Sequence, residues 1–271
     1  MTRIEDLPPL RDSLGEHGLL ADKSFGQHFL LDLNITRKIA RLAGPLEGQT
    51  VIEVGPGPGG LTRALLEAGA HVVAVEKDAR FLPLLEELAE AADGRLTLVQ
   101  ADALKVDEAA LAGGPGHVVA NLPYNVGTPL LIKWLTGPWR QISMTLMFQK
   151  EVADRIAAPV GGDAYGRLAV VCQALCQARV VMDLPARAFT PPPKVASAVV
   201  RLDPLAVHPS AAEIAALEKI TAAAFGQRRK MLRSSLKVLG GEALCVRAGI
   251  DPNVRAETVP VEGFLRLARA L

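Results

Sequence analysis

An alternation of strand-like and helix-like segments after residue 50 constrains the fold of this chain more than any other feature of its sequence. The strand-like runs are short and rich in Val, Ile and Leu, as buried parallel strands are. Alternation of this kind is typical of an α/β fold, with a parallel sheet between two layers of helices. Strands are predicted at residues 51–54, 71–75, 96–99, 118–120, 144–148, 180–182 and 195–202. Helices are predicted at residues 31–44, 61–68, 79–92, 129–135, 150–157 and 168–177.

The predicted strands fill one sheet of about seven strands. The last two are joined by a loop rather than a helix, which permits an antiparallel pairing. Pro204 and Pro209 mark a linker, and the chain beyond it has a purely helical pattern. We therefore expect a first domain at residues 1–204, whose first twenty residues form a loosely held leader with short helical pieces, and a small all-helical domain at residues 205–271.

The composition is that of a globular protein, with 49% hydrophobic and 22% charged residues. No apolar run reaches membrane-spanning length, and the N-terminus lacks the apolar core of a signal peptide. Cys172, Cys176 and Cys245 offer neither a disulfide framework nor a metal-ligand set with nearby histidines, and we assign the first two to the core. A cytoplasmic protein is expected.

A glycine-rich loop follows the first predicted strand. Gly55, Gly57 and Gly59 allow the backbone to turn sharply and leave no side chain between it and a ligand. The second strand ends at Glu76, at the distance from Gly55 where an acidic residue binds ribose hydroxyls of an adenosine-containing cofactor. A nicotinamide cofactor is the first alternative. Prolines between the glycines argue against it, because they have no N–H group for a pyrophosphate.

Polar residues also follow the third and fourth strands. Asp102 can accept a hydrogen bond from an adenine amino group, or it can simply cap the next segment. Residues 121–124, Asn-Leu-Pro-Tyr, place an amide acceptor beside a rigid proline and an aromatic face for stacking a base. A turn with Tyr124 as rim packing is the alternative. Ligand-type residues at successive strand ends favour S-adenosyl-L-methionine over nicotinamide.

Four further stretches add to these motifs, namely Phe25-Gly-Gln-His-Phe-Leu30, residues 189–197 around three prolines, residues 225–233 and residues 255–257. The strand-end motifs resemble those of S-adenosylmethionine-dependent adenine-N6 methyltransferases. With the further stretches, which extend the likeness over nearly the whole chain, the sequence resembles the KsgA-type branch of the rRNA adenine dimethyltransferases, which dimethylates two adjacent adenines near the 3′ end of small-subunit rRNA. His28 departs from the family, which commonly has Asn there.

The resemblance implies a Rossmann-like class I methyltransferase domain and assigns roles to individual residues. Asn121 and the Leu122 carbonyl would accept hydrogen bonds from the adenine N6 amine, while Tyr124 and Phe189 would form the two walls of the base pocket. A core Phe before a rigid proline-rich turn is the alternative for Phe189. The catalytic residues are Asn121, Leu122, Pro123, Tyr124 and Phe189. The cofactor-binding residues are Gln27, His28, Leu30, Gly55, Gly57, Glu76, Lys77, Asp102, Ala103 and Asn121.

RNA contacts are predicted mainly in the C-terminal part, which has an excess of Lys and Arg although the whole chain carries a net charge of +1. On one helix, Lys230, Arg233 and Lys237 would form a basic face opposite Leu232, Leu236 and Leu239. An ordinary solvated amphipathic helix is the alternative. The RNA-binding candidates are Lys194, Arg228, Arg229, Lys230, Arg233 and Lys237.

The expected partner is 16S rRNA within the small ribosomal subunit, bound by a monomer that needs no membrane and no metal. Two alternatives remain. An Erm-type enzyme acts on large-subunit rRNA with the same cofactor and catalytic motifs. A ribosome-assembly factor would keep the fold and bind RNA without turnover, although a role in subunit maturation is also compatible with catalysis.

Overall fold

The computed structural model describes residues 3–19, 28–227 and 229–271. Within them, the sheet has seven strands in the order β3-β2-β1-β4-β5-β7-β6, which confirms the predicted α/β architecture. The strands are β1 (Thr50–Val54), β2 (His71–Glu76), β3 (Leu96–Gln100), β4 (His117–Asn121), β5 (Ser143–Gln149), β6 (Cys176–Leu184) and β7 (Ser197–Pro204).

The strand pairing separates a parallel part of the sheet from a reversed strand. β1 pairs in parallel with both β2 and β4, β3 pairs in parallel with β2, and β5 with β4. β7 runs antiparallel to β5, with Gln149 opposite Ser197. The carboxyl ends of β1 to β5 therefore lie at one edge of the sheet, with the start of β7.

The helices follow the predicted positions closely, except that the sequence pattern missed α5. Asp107 caps the start of this short helix, because its Oδ1 accepts from the backbone N–H groups of Ala109 and Ala110, and Gly113, with a φ of 64°, caps its end. The helices are α1 (Leu10–Glu16), α2 (Leu33–Leu42), α3 (Gly60–Glu67), α4 (Leu82–Ala91), α5 (Glu108–Ala112), α6 (Gly127–Thr136), α7 (Lys150–Ile156), α8 (Arg167–Leu175), α9 (Ala211–Phe225), α10 (Leu232–Ser235), α11 (Gly241–Arg247) and α12 (Val261–Arg269).

The chain forms two compact units. The first comprises the described residues of Met1–Ala153 together with Val180–Leu202, and the second comprises those of Asp154–Arg179 and Asp203–Leu271. The predicted division at residue 204 lies close to the break after Leu202, but residues 154–179 belong to the helical unit. They do so because α8 packs against α9 and α12, a non-local contact that a strand-and-helix pattern does not reveal.

The main core of the first unit lies between the sheet and α2 and α3. Val51, Val72 and Val119 on neighbouring strands are at most 1% exposed and share this core with Leu65 of α3 and Ile39 of α2. These strands are buried on both faces, which is why their interior positions, apart from Glu53 in β1, are apolar rather than alternating.

The leader is held more firmly than the sequence suggests. Ile4, Leu10 and Leu14 are buried, and the Arg63 guanidinium donates to the Pro8 carbonyl at 2.7 Å. The prediction of a loosely held leader is therefore wrong for the described residues 3–19, because three spaced apolar side chains are enough to anchor them.

The second unit has its own aromatic core. The buried Tyr165 hydroxyl donates to the Val259 carbonyl at 2.9 Å, and the Phe225 and Phe264 rings lie 5.4 Å apart, centroid to centroid. Cys172 and Cys176 are free thiols buried in the core, as predicted.

Replacing Gly60 by Ala should destabilise the first unit. A Cβ at this first residue of α3 would lie 2.5 Å from the Leu30 carbonyl oxygen and 3.1 Å from Leu10, so the helix or the segment before α2 has to move. We expect a loss of about 1–3 kcal/mol in the free energy of unfolding, measured by urea denaturation.

Gly114→Ala is the matched control, because a Cβ at this half-buried residue has no atom within 4 Å. Its free energy of unfolding should stay within about 0.5 kcal/mol of the wild type. Equal urea midpoints for the two variants would contradict the close approach of Leu30 to Gly60.

Candidate functional site

A cavity of about 260 Å³ lies in the first unit, at the carboxyl ends of β1 to β4. Open α/β sheets bind ligands at this edge, where the strand order reverses, here between β1 and β4. Most residues predicted for the site line this one cavity. These are His28, Gly55, Gly57, Glu76, Lys77, Asp102, Ala103, Asn121, Leu122, Pro123 and Tyr124.

Glu76 fastens the glycine loop to the end of β2. Its Oε2 accepts from the Gly57 N–H at 3.0 Å, and its Oε1 accepts from the Asp78 N–H at 2.8 Å. Burial raises the pKa of Glu76, although these two amides oppose the shift. A Cβ on Gly57, whose φ is 52°, would lie 3.1 Å from the Phe29 ring, so the loop and the segment at residues 28–30 approach closely there.

Asp102 is fixed in the turn after β3. Its Oδ1 accepts from the Leu104 N–H, and its Oδ2 pairs with the Lys77 ammonium, each at 3.0 Å. The hydrogen bond from Lys77 is the main reason that the pKa of Asp102 lies below its ordinary value. The site therefore contains one carboxylate that is securely ionised beside a second, Glu76, that is buried.

The Asn121 amide has a defined orientation at the end of β4. Its Nδ2 donates to the His28 carbonyl at 3.1 Å. Because a carbonyl oxygen can only accept, the atom facing it must be the amide nitrogen, and Oδ1 is the acceptor on the other branch. The local contacts thus assign the two amide atoms, which are otherwise hard to distinguish.

Tyr124 provides an aromatic surface beside Asn121. Its hydroxyl shares a hydrogen bond of 2.8 Å with the Ser197 hydroxyl, at the start of β7. The His28 ring lies 5.6 Å away, centroid to centroid, tilted by 33°. Partial burial raises the pKa of the Tyr124 phenol, so it remains protonated at neutral pH.

Residues 189–193, which we call the proline segment, support residues 28–30. Phe29 and Thr190 exchange backbone hydrogen bonds of 3.0 and 2.9 Å. The His28 Nδ1 lies 2.8 Å from the Pro191 carbonyl and must be the donor, since that oxygen can only accept. The segment includes a cis peptide bond between Thr190 and Pro191.

Phe189 does not line the cavity. It is 3% exposed and lies in the core with Leu30 and Val199. The burial of Phe189 agrees with the alternative, a core Phe before a proline-rich turn, and not with the prediction that it forms a second wall of the pocket. Leu30 likewise lies in the core, and Gln27 falls outside the described residues.

The cavity is also lined by four residues for which the sequence predicts no role, namely Phe29, Asp78, Leu104 and Leu130. Phe29, Asp78 and Leu104 lie within two residues of predicted site residues, so extending each motif would have found them. Leu130 lies on α6, where an apolar residue gives no local signal of contact with a ligand.

Glu53, one residue before the end of β1, is a buried carboxyl that the sequence analysis also left without a role. It is 1% exposed, and its Oε2 has no hydrogen-bond partner among the described residues. Burial, with a smaller effect from the charge of Glu76, raises the pKa of Glu53 to about 8. The group is therefore mostly protonated at neutral pH.

The basic helix predicted around Lys230 is not continuous. Met231 forms an isolated bridge with Arg255, and α10 begins only at Leu232, so Lys230 precedes the helix. The helix is interrupted because the Leu232 N–H bonds to the Val254 carbonyl, a partner distant in sequence. The remaining basic candidates, namely Lys194, Arg229, Lys230, Arg233 and Lys237, are all exposed, and Arg228 falls outside the described residues.

No helix in the described ranges is long and apolar enough to cross a membrane. A search of the same residues for clusters of His, Cys, Asp and Glu that could hold a metal ion found none.

The sequence model of a family described as ribosomal RNA adenine dimethylase matches residues 18–271. A protein of Phenylobacterium zucineum named ribosomal RNA small subunit methyltransferase A is 72% identical over 268 residues, which cover 98% of this chain and 94% of the relative. A protein of the same name from Caulobacter vibrioides is 75% identical over 251 residues, which cover 93% and 97%.

Two solved structures resemble the whole fold. A dimethyladenosine transferase from Plasmodium falciparum has a TM-score of 0.74 and 25% identity, covering 89% of this chain and 96% of that one. The 23S rRNA methyltransferase ErmE has a TM-score of 0.70 and 27% identity, covering 90% and 99%. These likenesses confirm the predicted Rossmann-like methyltransferase fold.

Glu53→Gln should remove a pH dependence from the stability of the protein. The folded-state pKa of about 8 lies above that of an ordinary glutamate in the unfolded chain, so the folded protein keeps a proton that the unfolded chain releases. The free energy of unfolding should therefore fall as the pH rises towards 8, by up to about 1.4 kcal/mol per pH unit from this group. Urea denaturation between pH 5 and 8 measures the fall, which should be smaller in the variant.

Glu86→Gln, at an exposed position on α4, serves as the control and should follow the wild-type profile. If the profiles of Glu53→Gln and the wild type run parallel, the Glu53 carboxyl is already ionised at neutral pH and our assignment of its protonation fails.

Proposed function

The chain belongs to the ribosomal RNA adenine dimethylase family, and from its site we propose that it dimethylates N6 of two adjacent adenines near the 3′ end of small-subunit rRNA. It is an rRNA adenine dimethyltransferase. The observation that carries the finer proposal is the fixed Asn121 amide, which lies with Tyr124 beside the carboxylates of Glu76 and Asp102 in one cavity.

The residues of the cavity suit S-adenosyl-L-methionine. Glu76 at the end of β2 would bind ribose hydroxyls, and Asp102 after β3 would accept from the adenine amino group; both line the cavity. The glycine loop brings backbone rather than side chains to the cavity at Gly55 and Gly57. The apolar lining, which includes Val75 and Leu130, suits an adenine ring. When bound, this cofactor supplies an electrophilic methyl group on a sulfonium sulfur.

Asn121 would orient the amine that is methylated. The lone pair of adenine N6 is delocalised into the ring, which makes the amine a weak nucleophile. Hydrogen bonds from N6 to Asn121 Oδ1 and to the Leu122 carbonyl favour a pyramidal amine with its lone pair available for attack. Acceptors fixed in advance also stabilise the positive charge that develops on N6. The bond from Nδ2 to His28 supports this role because it leaves Oδ1 as the acceptor of the amide.

Tyr124 would stack on the target base once that base has left its own stack. The His28 ring lies beside Tyr124, and both are restrained by residues of the last third of the chain, through Ser197 and Pro191. We assign Phe189 a supporting role instead, because it precedes Thr190, which bonds to Phe29. The pocket must also admit a base that already carries one methyl group, since dimethylation requires a second transfer.

The relatives support the small subunit as the source of the substrate. The two bacterial proteins named for the small subunit are 72% and 75% identical to this chain, whereas the 23S rRNA enzyme is 27% identical. Exposed Arg229, Lys230, Arg233 and Lys237 in the second unit are available for phosphate contacts. Lys194, exposed in the first unit beside the proline segment, is a further candidate.

The proposal is tested by transfer of tritiated methyl groups from S-adenosyl-L-methionine to purified small subunits, and separately large subunits, that lack adenine methylation. We expect two methyl groups on each of two adenines in the small subunit. Asn121→Ala should lower the turnover rate by about a hundredfold or more, because it removes an acceptor fixed at the reacting amine.

Asn253→Ala, an exposed position in the second unit, is the control and should methylate at the wild-type rate. Label on the large subunit alone would assign the chain to the specificity of the 23S rRNA enzyme. Cofactor binding without label on either subunit would replace the proposal with a binding function in ribosome assembly.

A further inference from the structure

Lys133, on α6, lies just outside the residues that line the cavity, and its ammonium group makes three contacts. It donates to the carbonyls of Ala103 at 2.9 Å and Val106 at 2.7 Å, and to the Glu108 carboxylate at 2.8 Å. An ammonium group has three hydrogens, so these contacts account for its full donor capacity. The partners all belong to residues 103–108, which connect β3 to α5.

Glu108 is held in turn from two directions. Its side chain is 7% exposed, and its Oε1 accepts from the Trp134 indole N–H at 2.7 Å as well as from Lys133. Lys133 and Trp134 are consecutive residues of α6, so this helix binds the first residue of α5 through two adjacent side chains. Buried ion pairs of this kind add little net stability, because desolvation offsets the attraction, but they do fix geometry when every partner is satisfied.

The same helix is tied to the catalytic motif. The Gly127 N–H, at the start of α6, bonds to the Pro123 carbonyl at 3.0 Å, and Leu130 lines the cavity. Lys133 follows Leu130 by three residues, on the same side of the helix. α6 therefore contacts both the Asn121–Tyr124 motif and the turn that carries Asp102.

Asp102 itself sits at the beginning of that turn. The Lys105 N–H bonds to the Asp102 carbonyl at 2.8 Å, and the Leu104 N–H bonds to its carboxylate. These two bonds shape the turn, and its start is attached to β2 by the bond from the Ala101 N–H to the Glu76 carbonyl at 3.0 Å and by the Lys77 ion pair with Asp102. Lys133 attaches the rest of the turn from the opposite side, at the carbonyls of Ala103 and Val106.

We propose that Lys133, braced by Glu108, is a positioning residue that holds Asp102 where its carboxylate accepts a hydrogen bond from the 6-amino group of the cofactor's adenine. This inference rests on the proposed function, in which Asp102 recognises that amino group. Lys133 acts through the turn and contacts no ligand. Its loss should therefore weaken recognition of the amino group more than binding of the rest of the cofactor.

The test compares binding of S-adenosylhomocysteine with that of an analogue in which purine, lacking the 6-amino group, replaces adenine. In calorimetric titration, the wild type should bind the adenine compound with a Kd about tenfold lower than that of the purine compound. A tenfold difference is the effect expected of one hydrogen bond to a charged group. Lys133→Met should raise the Kd of the adenine compound about tenfold and that of the purine compound much less, so that the preference disappears.

Lys133→Met also leaves a buried carboxylate unpaired, which can lower stability by itself. The double variant Lys133→Met/Glu108→Gln removes that charge, so it should regain stability without regaining the preference for adenine. Lys38→Met, which removes an exposed lysine from α2, should keep the preference.

Three results would overturn the inference. An equal loss of affinity for both compounds in Lys133→Met would reduce Lys133 to a structural role. Recovery of the preference in the double variant would mean that Lys133 only neutralises Glu108. A wild type with no preference would instead overturn the assigned role of Asp102, and methyl transfer to small subunits would then show whether the proposed function survives.

Discussion

The parallel pairing of β1 with β4 is the constraint on which the rest of the site depends. Val51 lies opposite His117 and Ile52 opposite Val118, so the two strands run side by side to the same edge of the sheet. The glycine loop then leaves β1 on one side, and the Asn121 motif ends β4 on the other. Hydrogen-bond donors and acceptors at the strand ends therefore line one cavity of about 260 Å³ without long loops to position them.

The reversed strand β7 gives the fold a second set of supports. It brings Ser197 to the Tyr124 hydroxyl, and the proline segment just before it holds His28 and Phe29 through backbone atoms. These contacts restrain the side of the cavity that the parallel strands do not reach. The rings of His28 and Tyr124 thereby keep defined positions although both residues lie in loops. A pocket that stacks a flat base requires such fixed rings.

The sequence predicted those parts of the fold and site that depend on local pattern. Glu76 and Asn121 end buried strands, and Asp102 follows the edge strand β3, so the sheet alone brings them together. Phe189 could not be placed in this way, because the direction of a side chain in an irregular loop depends on packing with Leu30 and Val199. The interrupted helix near Lys230 and the membership of residues 154–179 in the helical unit have the same cause. Both depend on partners far away in sequence.

The contact between His28 and Pro191 joins residues 163 positions apart. A ribosome that adds about 5–20 residues per second needs roughly 8 to 30 seconds to make the chain between them. The four parallel strand ends can assemble during that interval, since β1 to β4 are complete by Asn121. The cavity would thus form first from the strand ends alone, and the proline segment would close it over His28 only after the chain beyond β6 has been made. The nascent protein therefore has the chemical groups of the site well before it has the enclosure that makes them selective.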